Sequence, residues 1–277
     1  MISGSTQLIA HLGYPTETFK SSMIYNPWFE QQGIDAVVVP MGMRPEDYAI
    51  TVQALRKFTN LRGALVTMPH KVSTLNLVDE LTSTAQVAGA CNAILLRPDG
   101  SLLGDQFDGT GFVRGVKNKG LTLKGKRALV SGSGGVGSAI AASLAAAGVL
   151  ELALFDLQAS STAALAGRLQ QHYPDLRISQ GSNDPAGFDL IVNATPLGMN
   201  AGDPMPCDMS RVSPSTFVGD VVMRQAMTPL LAAAQAKGCR IQLGVDMLFE
   251  MIPAYLEFFG FGTAKPDQLR AVAKINY

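Results

Sequence analysis

The chain has 277 residues, of which 47% are hydrophobic and 16% charged. This size and composition predict a globular protein with room for two domains and exclude a disordered chain. The 22 basic and 22 acidic side chains cancel, and without a basic patch neither nucleic acid nor an anionic membrane is an expected partner. Three distant cysteines (Cys91, Cys207 and Cys239) match neither a disulfide framework nor a zinc pattern, so we expect a reducing, cytoplasmic setting and no metal.

Short apolar runs alternate with helical patterns in the first part of the chain. The spacing predicts strands over 7–13, 35–41 and 62–68, followed in turn by helices over 20–32, 45–58 and 71–88. Two further predicted strands, 92–97 and 101–106, flank the turn signal Pro98-Asp99-Gly100 and indicate a hairpin. Alternation of this kind is typical of a mostly parallel sheet covered on both faces.

A Lys- and Gly-rich segment, 115–126, lies near an expected domain boundary. The second alternating run after it predicts strands over 127–131, 151–156, 188–193, 216–222 and 239–244, with an alanine-rich helix that ends at Gly148. Thr228-Pro229 has the pattern of a helix N-cap followed by proline at the first helical position. The last apolar run, 245–259, has helical spacing.

A glycine-rich segment, VSGSGGVGSAI (130–140), lies between a predicted strand and a predicted helix. It matches G-x-G-x-x-G/A through Gly132, Gly134, Gly135, Val136 and Gly137. Such glycines permit a tight turn and let the backbone approach a pyrophosphate, which is attracted by the N–H groups of the helix N-terminus. We therefore predict a dinucleotide site, with a glycine-rich turn that binds no ligand as the alternative.

The next predicted strand ends at Asp156, about twenty residues further on, as dinucleotide-binding units require. A carboxylate there accepts hydrogen bonds from the ribose hydroxyls of NAD and repels the 2′-phosphate of NADP, whose binders usually place an arginine nearby. No cation follows until Arg168, so we predict NAD as the cofactor. The alternative is that Asp156 only caps the next helix.

Six motifs follow one another along the chain: VTMPHK (66–71), GACNAI (89–94), GDQFDGTG (104–111), SGSGGVGSA (131–139), NATPLGM (193–199), and GDVV (219–222) with TPLL (228–231). In this order and spacing they resemble the shikimate/quinate dehydrogenase family, and the resemblance covers nearly the whole chain. It implies an α/β fold with an N-terminal substrate domain (1–112) and a Rossmann-type NAD-binding domain (113–244). A C-terminal helical segment (245–277) is implied to return to the substrate domain.

The resemblance implies a catalytic pair, Lys71 and Asp108. Taking a hydride from a secondary alcohol leaves a ketone, and the hydroxyl proton needs an acceptor. A lysine in a dry cleft can accept it, because desolvation lowers the pKa of an ammonium group. Without the resemblance Lys71 would be interpreted as an ordinary surface lysine.

Further contacts are implied for matched motif positions. The implied substrate contacts are Ser21, Thr67, Asn92, Phe19 and Met251. The implied cofactor contacts outside the glycine-rich segment are Asp156, Asn193, Thr195, Met199, Val221, Gly244 and Met247. For Asn92 and Thr67, turn chemistry and strand propensity are the alternatives. His70 is expected to be a bystander of the chemistry, and His11 a hydrogen-bonded core histidine.

The substrate pocket departs from the family pattern. Five positions that are polar in the family are apolar here: Phe19, Leu65, Phe107, Met223 and Met251. Each apolar wall that faces a substrate hydroxyl or carboxylate leaves that group unsatisfied, at a cost of roughly 1–3 kcal/mol. We therefore expect an NAD-dependent dehydrogenase that acts on a cyclic polyol or carboxylate and for which shikimate itself is a poor substrate. The protein is expected to be a monomer or a homodimer. The alternative is a catalytically silent NAD- or metabolite-binding sensor.

Overall fold

The computed structural model describes residues 2–17, 19–225 and 227–275. Its strands are β1 (Gln7–Gly13), β2 (Ala36–Gly42), β3 (Leu61–Val66), β4 (Glu80–Leu81), β5 (Ala93–Leu96), β6 (Leu102–Asp105), β7 (Arg127–Ser131), β8 (Glu151–Phe155), β9 (Arg177–Gln180), β10 (Leu190–Asn193), β11 (Phe217–Asp220) and β12 (Arg240–Gln242). Its α-helices are α1 (Ser22–Gln32), α2 (Pro45–Leu55), α3 (Ser83–Ala88), α4 (Asp108–Asn118), α5 (Gly135–Ala146), α6 (Ala159–His172), α7 (Pro229–Ala236), α8 (Gly244–Phe259) and α9 (Pro266–Val272). None of the helices in these described ranges is long and apolar enough to cross a bilayer.

The chain divides into two compact units. The first comprises Met1–Ala85, Ala90–Phe107 and Ile252–Tyr277, and the second comprises Gln86–Gly89 and Asp108–Met251. The part of the C-terminal segment from Ile252 onward thus belongs to the first unit, and the part before it belongs to the second. The sequence-based boundaries at 112/113 and 244/245 stay a prediction.

The first unit has a mixed six-stranded sheet in the order β2-β1-β3-β5-β6-β4. Strand β1 is parallel to β2 and β3, whereas β5 is antiparallel to β3 and β6. The predicted hairpin is confirmed, with Gly100 at a φ of 85° between β5 and β6. Only glycine adopts that left-handed conformation without steric cost.

The apolar core of this unit lies on one face of its sheet. It includes Ala10, Leu12, Tyr48, Val52, Leu55, Ala64, Val66 and Ile94. Successive side chains of a strand point to opposite faces. His11 and Leu65, which are register partners in β1 and β3, therefore point away from this core, to the other face of the sheet.

The prediction of one continuous helix over 71–88 is wrong. The chain there forms a 3-10 turn (Ser73–Asn76), then β4, and only then α3. Strand β4 pairs with β6, and the Asp79 N–H donates to the Leu102 carbonyl at 2.9 Å. These tertiary hydrogen bonds stabilise a strand where the local periodicity favours a helix. Helix α3 begins only after β4, where the Thr82 hydroxyl accepts from the Ala85 N–H at 3.3 Å.

The second unit has a fully parallel six-stranded sheet in the order β12-β11-β10-β7-β8-β9. Apolar cores cover both of its faces. Ala128 and Val130 of β7 contribute to one core, and Leu129 contributes to the other. This arrangement confirms the predicted α/β fold with a Rossmann-type sheet. The predicted N-cap is also confirmed, because the Thr228 hydroxyl accepts from the Leu231 N–H at the start of α7.

Helix α4 extends into the Lys- and Gly-rich segment that marked the expected boundary. Its glycines are positions of close packing. A Cβ on Gly109 would collide with the Ala139 carbonyl of α5, and a Cβ on Gly115 would lie 2.6 Å from Oε1 of Gln242. Glycine therefore brings α4 against its neighbours and fixes the position of Asp108, its first residue.

Candidate functional site

The glycine-rich loop between β7 and α5 has the geometry of a dinucleotide cradle. Gly132 takes a φ of 102°, and a Cβ there would lie 2.6 Å from the Ala194 carbonyl oxygen. A Cβ on Gly137 would collide with the Gly132 carbonyl, whereas Gly134 and Gly135 have no atom within 4 Å of an added Cβ. The first and last glycines thus shape the turn, and the middle pair leaves the loop open to a ligand.

Polar groups of this loop also fit an anionic ligand. The Ser138 N–H donates to the Gly134 carbonyl at 2.8 Å, so the amides of Gly135, Val136 and Gly137 precede the first helical hydrogen bond. In the described part of the chain, the buried hydroxyls of Ser131 and Ser133 have no hydrogen-bond partner. Because buried polar groups are normally paired, the loop fits the pyrophosphate part of a dinucleotide.

Asp156 follows β8 and joins the glycine-rich loop. One carboxylate oxygen accepts from the Ser133 N–H at 2.7 Å, and the other accepts from the Gln158 N–H at 2.9 Å. Gln158 is the N-cap residue of α6, so Asp156 stands outside that helix. A carboxylate has about four acceptor positions, which leaves capacity for ribose hydroxyls.

Arg168, the first cation after Asp156, is engaged elsewhere. Its guanidinium donates to the carbonyls of Val87 at 2.8 Å and Ala88 at 3.4 Å. Burial lowers the pKa of Arg168. The segment from Leu157 to Gly167 contains no lysine or arginine, so it offers no cationic partner for a 2′-phosphate.

The loop after β10 contains a polar network that the sequence did not predict. The Asn193 amide donates to Asp220 at 3.1 Å and to the Leu197 carbonyl at 2.9 Å. The Thr195 hydroxyl donates to Asn193, and Thr228 donates to Asp220 at 2.7 Å. Burial raises the pKa of Asp220, which is fully enclosed. The side chains of Asn193 and Thr195 therefore shape the loop, and their role as cofactor contacts stays a prediction.

The other predicted cofactor positions differ in exposure. Met199 is exposed, Val221 packs on the core of the second unit, and Met247 is part of that core. A Cβ on Gly244 would collide with the Val222 carbonyl. Glycine at 244 is thus explained by close packing at the start of α8, and the cofactor roles of these four residues stay predictions.

Lys71 follows β3 in the first unit. The turn before it is held by His70, whose ring stacks on Tyr48 at 3.9 Å and whose Nε2 donates to the Met43 carbonyl at 2.9 Å. The Lys71 carbonyl accepts from the Cys91 N–H at 2.8 Å. His70 is thus a buried anchor, and the backbone of Lys71 is fixed independently of its side chain.

Asn92 lies immediately before β5 in the same unit. It is buried, and its Oδ1 accepts from the Phe107 N–H at 2.9 Å. Nδ2 is the donor end of this amide. The Tyr255 hydroxyl donates to the Asn92 carbonyl at 3.2 Å. The Phe107 ring meets Tyr255 edge to face at 4.8 Å. The predicted contact Asn92 and the apolar replacement Phe107 are thus neighbours.

His11 is not the hydrogen-bonded core histidine that the sequence suggested. Within the described ranges its buried Nδ1 has no hydrogen-bond partner. Its ring stacks on Phe19 with centroids 4.1 Å apart. A Cβ added to Gly13 would lie 2.7 Å from Phe19 and collide with Thr67, so Phe19 and Thr67 flank Gly13.

The pKa of His11 predicts a pH-dependent stability. Burial, and secondarily the Lys71 ammonium, lowers this pKa from 6.5 to about 4. Between pH 6.5 and about pH 4, His11 is protonated in the unfolded chain and neutral in the folded chain. The contribution of His11 to the free energy of unfolding is therefore highest above pH 6.5 and decreases as the pH falls below that value. At about pH 5 we expect a loss of about 2 kcal/mol relative to pH 7. Urea unfolding of the wild type and of His11→Phe checks this, and an equal pH slope in both proteins would refute it.

The five apolar replacements divide between the two units. Phe19, Leu65 and Phe107 belong to the first unit and are buried. Met223 and Met251 belong to the second, where Met223 is 50% exposed and a Cβ on Gly111 would lie 2.7 Å from Met251. Ser21 precedes α1 without a side-chain cap bond. Substrate roles for Met251 and Ser21 stay predictions.

Sequence comparison assigns the family. The profile of the shikimate dehydrogenase substrate binding domain matches residues 12–94. A shikimate dehydrogenase (NADP(+)) from Acidiphilium cryptum is 35% identical over 276 residues, which cover 99% of this chain and 98% of the relative. The chain belongs to the shikimate dehydrogenase family. Its membership makes it a shikimate dehydrogenase-like oxidoreductase, as the motifs predicted.

Solved structures agree with this shikimate dehydrogenase assignment. The shikimate 5-dehydrogenase from Listeria monocytogenes, described in complex with shikimate and NAD, has a TM-score of 0.92 and 26% identity, covering 98% of this chain and 97% of its own. The quinate dehydrogenase from Corynebacterium glutamicum, in complex with NAD, has a TM-score of 0.86 and 27% identity, covering 96% and 98%. The chain thus has the fold of both kinds of dehydrogenase.

Proposed function

We propose that this member of the shikimate dehydrogenase family transfers a hydride between NAD and a secondary hydroxyl of a cyclic substrate. The observation that carries the cofactor choice is Asp156, which is bound to the glycine-rich loop and followed by no available cation. The Acidiphilium relative is named for NADP(+), so the preference for NAD depends on this residue. The three proteins compared above are all named dehydrogenases. No observation favours the alternative of a catalytically silent NAD- or metabolite-binding sensor.

In this proposal the chain's own residues handle the proton, and NAD, when bound, would supply the hydride acceptor. When the substrate C–H bond breaks and the C=O bond forms, the hydroxyl proton passes to Nζ of Lys71, the proposed general base, and then to solvent. Asp108 supplies the second proton-handling group, and the Asn92 amide donates to a ring hydroxyl. These roles follow from the family resemblance.

The substrate proposed is a cyclic alcohol that differs from shikimate. Phe19 and Leu65 remove two polar partners from the proposed substrate-binding positions of the first unit, and Phe107 removes a third. A site that leaves a substrate hydroxyl or carboxylate facing an apolar wall loses roughly 1–3 kcal/mol for each such group. Three such losses correspond to several orders of magnitude in binding.

The direct test is binding and turnover with the purified protein. NAD and NADP are titrated separately, and each is then mixed with shikimate, quinate and cyclic polyols that lack a carboxylate while reduced nicotinamide absorbance is recorded. We expect tighter binding of NAD and NAD reduction with at least one cyclic alcohol. NAD binding without any turnover, or faster reduction of NADP, would contradict the proposal.

Asp156→Ser is expected to reduce the preference for NAD. A hydrogen bond to a charged group contributes about 1.5–3 kcal/mol, so the Kd for NAD should rise about 10- to 100-fold. The Kd for NADP should fall, because the repulsion of the 2′-phosphate is removed. Leu157→Ser is the matched control, since that side chain is 94% exposed. An unchanged ratio of the two Kd values in Asp156→Ser would show that another residue selects the cofactor.

A further inference from the structure

His11 is a buried polar group on the face of the first sheet opposite the apolar core, and the proposed chemistry does not use it. It is 6% exposed, and within the described ranges its Nδ1 has no hydrogen-bond partner. A buried polar atom without a partner costs about 1–3 kcal/mol, and most such atoms are satisfied by protein or water. Nδ1 of this buried imidazole, unpaired within the described ranges, therefore points to a hydrogen-bond partner that a bound ligand supplies.

The neighbours of His11 are the altered pocket positions. Leu65 is its register partner on β3, so the two side chains lie side by side on the same sheet face. Phe19 stacks on the imidazole at 4.1 Å with the rings 24° apart. His11 therefore lies between two positions that are apolar in this chain and polar in the family pattern.

Lys71 is the charged group that acts on His11. Its ammonium is the second cause, after burial, of the lowered pKa of His11. At neutral pH the imidazole is thus uncharged and offers one N–H donor and one acceptor nitrogen. Such a group matches a hydroxyl, which both donates and accepts, and it cannot neutralise a carboxylate.

We propose that His11 is a substrate-binding residue that hydrogen-bonds a hydroxyl of an uncharged cyclic polyol and so substitutes for the polar groups that Phe19 and Leu65 cannot supply. Phe19 holds the imidazole ring by stacking, and Leu65 supplies an apolar wall beside it. This inference rests on the proposed function, since it names the substrate class of the same site. The preferred substrate accordingly carries a hydroxyl, and no carboxylate, opposite His11.

The first test observes His11 directly and does not depend on turnover. The chain has three histidines, so protein labelled with nitrogen-15 histidine gives a simple spectrum, and His11→Phe assigns the His11 signals. Saturation with myo-inositol or cis-1,2-cyclohexanediol, with NAD present, should shift the His11 ring nitrogens. Shikimate should shift them less. If neither polyol shifts them, the inference is wrong.

The second test separates binding from structure. For the best polyol substrate, His11→Phe should raise KM about 10- to 100-fold with a smaller effect on kcat, and His11→Asn should recover part of the loss. His172→Phe is the matched control, because that residue lies at the end of α6, and it should leave KM unchanged. A purely structural histidine would leave KM unchanged in His11→Phe while the stability changes.

The two tests distinguish the failure of each proposal. A ring-nitrogen shift without turnover of any alcohol would support the role of His11 and contradict the dehydrogenase proposal. Turnover of a polyol with an unmoved His11 signal and an unchanged KM in His11→Phe would leave the dehydrogenase standing and overturn the role of His11.

Discussion

Lys71→Met will lower kcat about 10²- to 10⁴-fold, the usual contribution of a positioned general base. Methionine keeps the aliphatic stem and removes the amine that we propose as the proton acceptor. The fold should persist, because the Lys71 carbonyl accepts from the Cys91 N–H whatever the side chain is. The Kd for NAD should also persist, since the dinucleotide cradle is built from residues of the second unit. Steady-state kinetics with the best alcohol substrate and NAD titration measure both quantities.

The same variant is also expected to change the pKa of His11, which NMR of the labelled histidines measures. The Lys71 ammonium lowers the pKa of His11, so this pKa should rise in Lys71→Met. Lys57→Met is the matched control, because Lys57 is an exposed lysine of the same unit. A kcat within a few-fold of wild type, together with a shifted His11 pKa, would show that Lys71 lies near the site without accepting the proton.

Two alanine variants of the glycine-rich loop, Gly137→Ala and Gly134→Ala, are expected to differ strongly in their effect on stability. Gly137→Ala places a Cβ against the Gly132 carbonyl, and backbone cannot yield as a side chain does. We expect a loss of more than about 3 kcal/mol of unfolding free energy, at or beyond the upper end for overpacked sites. Gly134→Ala adds a Cβ in open space at a φ of −72° that alanine adopts freely, so its stability should change by less than about 1 kcal/mol.

The same pair tests the ligand. In Gly134→Ala the added methyl occupies the space through which the backbone approaches a pyrophosphate. The Kd for NAD should therefore rise at least about 100-fold, which corresponds to about 2.7 kcal/mol. Thermal unfolding and NAD titration of both variants measure the two effects. Wild-type NAD affinity in a folded Gly134→Ala would place the dinucleotide away from this loop.

Local signals predicted much of the fold. The parallel sheet of the second unit, the cradle and its acidic partner Asp156 follow from glycine spacing and strand ends, because the backbone itself makes these features. The hairpin at Gly100 and the N-cap at Thr228 were equally local, since each depends on a few consecutive residues.

Tertiary interactions explain what the sequence did not predict. The helix expected over 71–88 is replaced by β4 and its pairing with β6, which depends on residues distant in the chain. The network around Asp220 joins the ends of two strands and the start of α7. His11 shows the same limit, since a strand pattern places it on an apolar strand but cannot show that its ring stacks on Phe19 beside Leu65.

The proposed specificity depends most on the prediction that Phe19, Leu65 and Phe107 line the substrate pocket. The measurement that tests it most directly is kcat/KM for shikimate with NAD, set beside the values for carboxylate-free cyclic polyols. We predict a value for shikimate below about 10⁴ M⁻¹s⁻¹, the lower end of the ordinary enzymatic range, with at least one polyol about tenfold better. A shikimate value inside that range and above every polyol would contradict this specificity and make the chain an ordinary shikimate dehydrogenase.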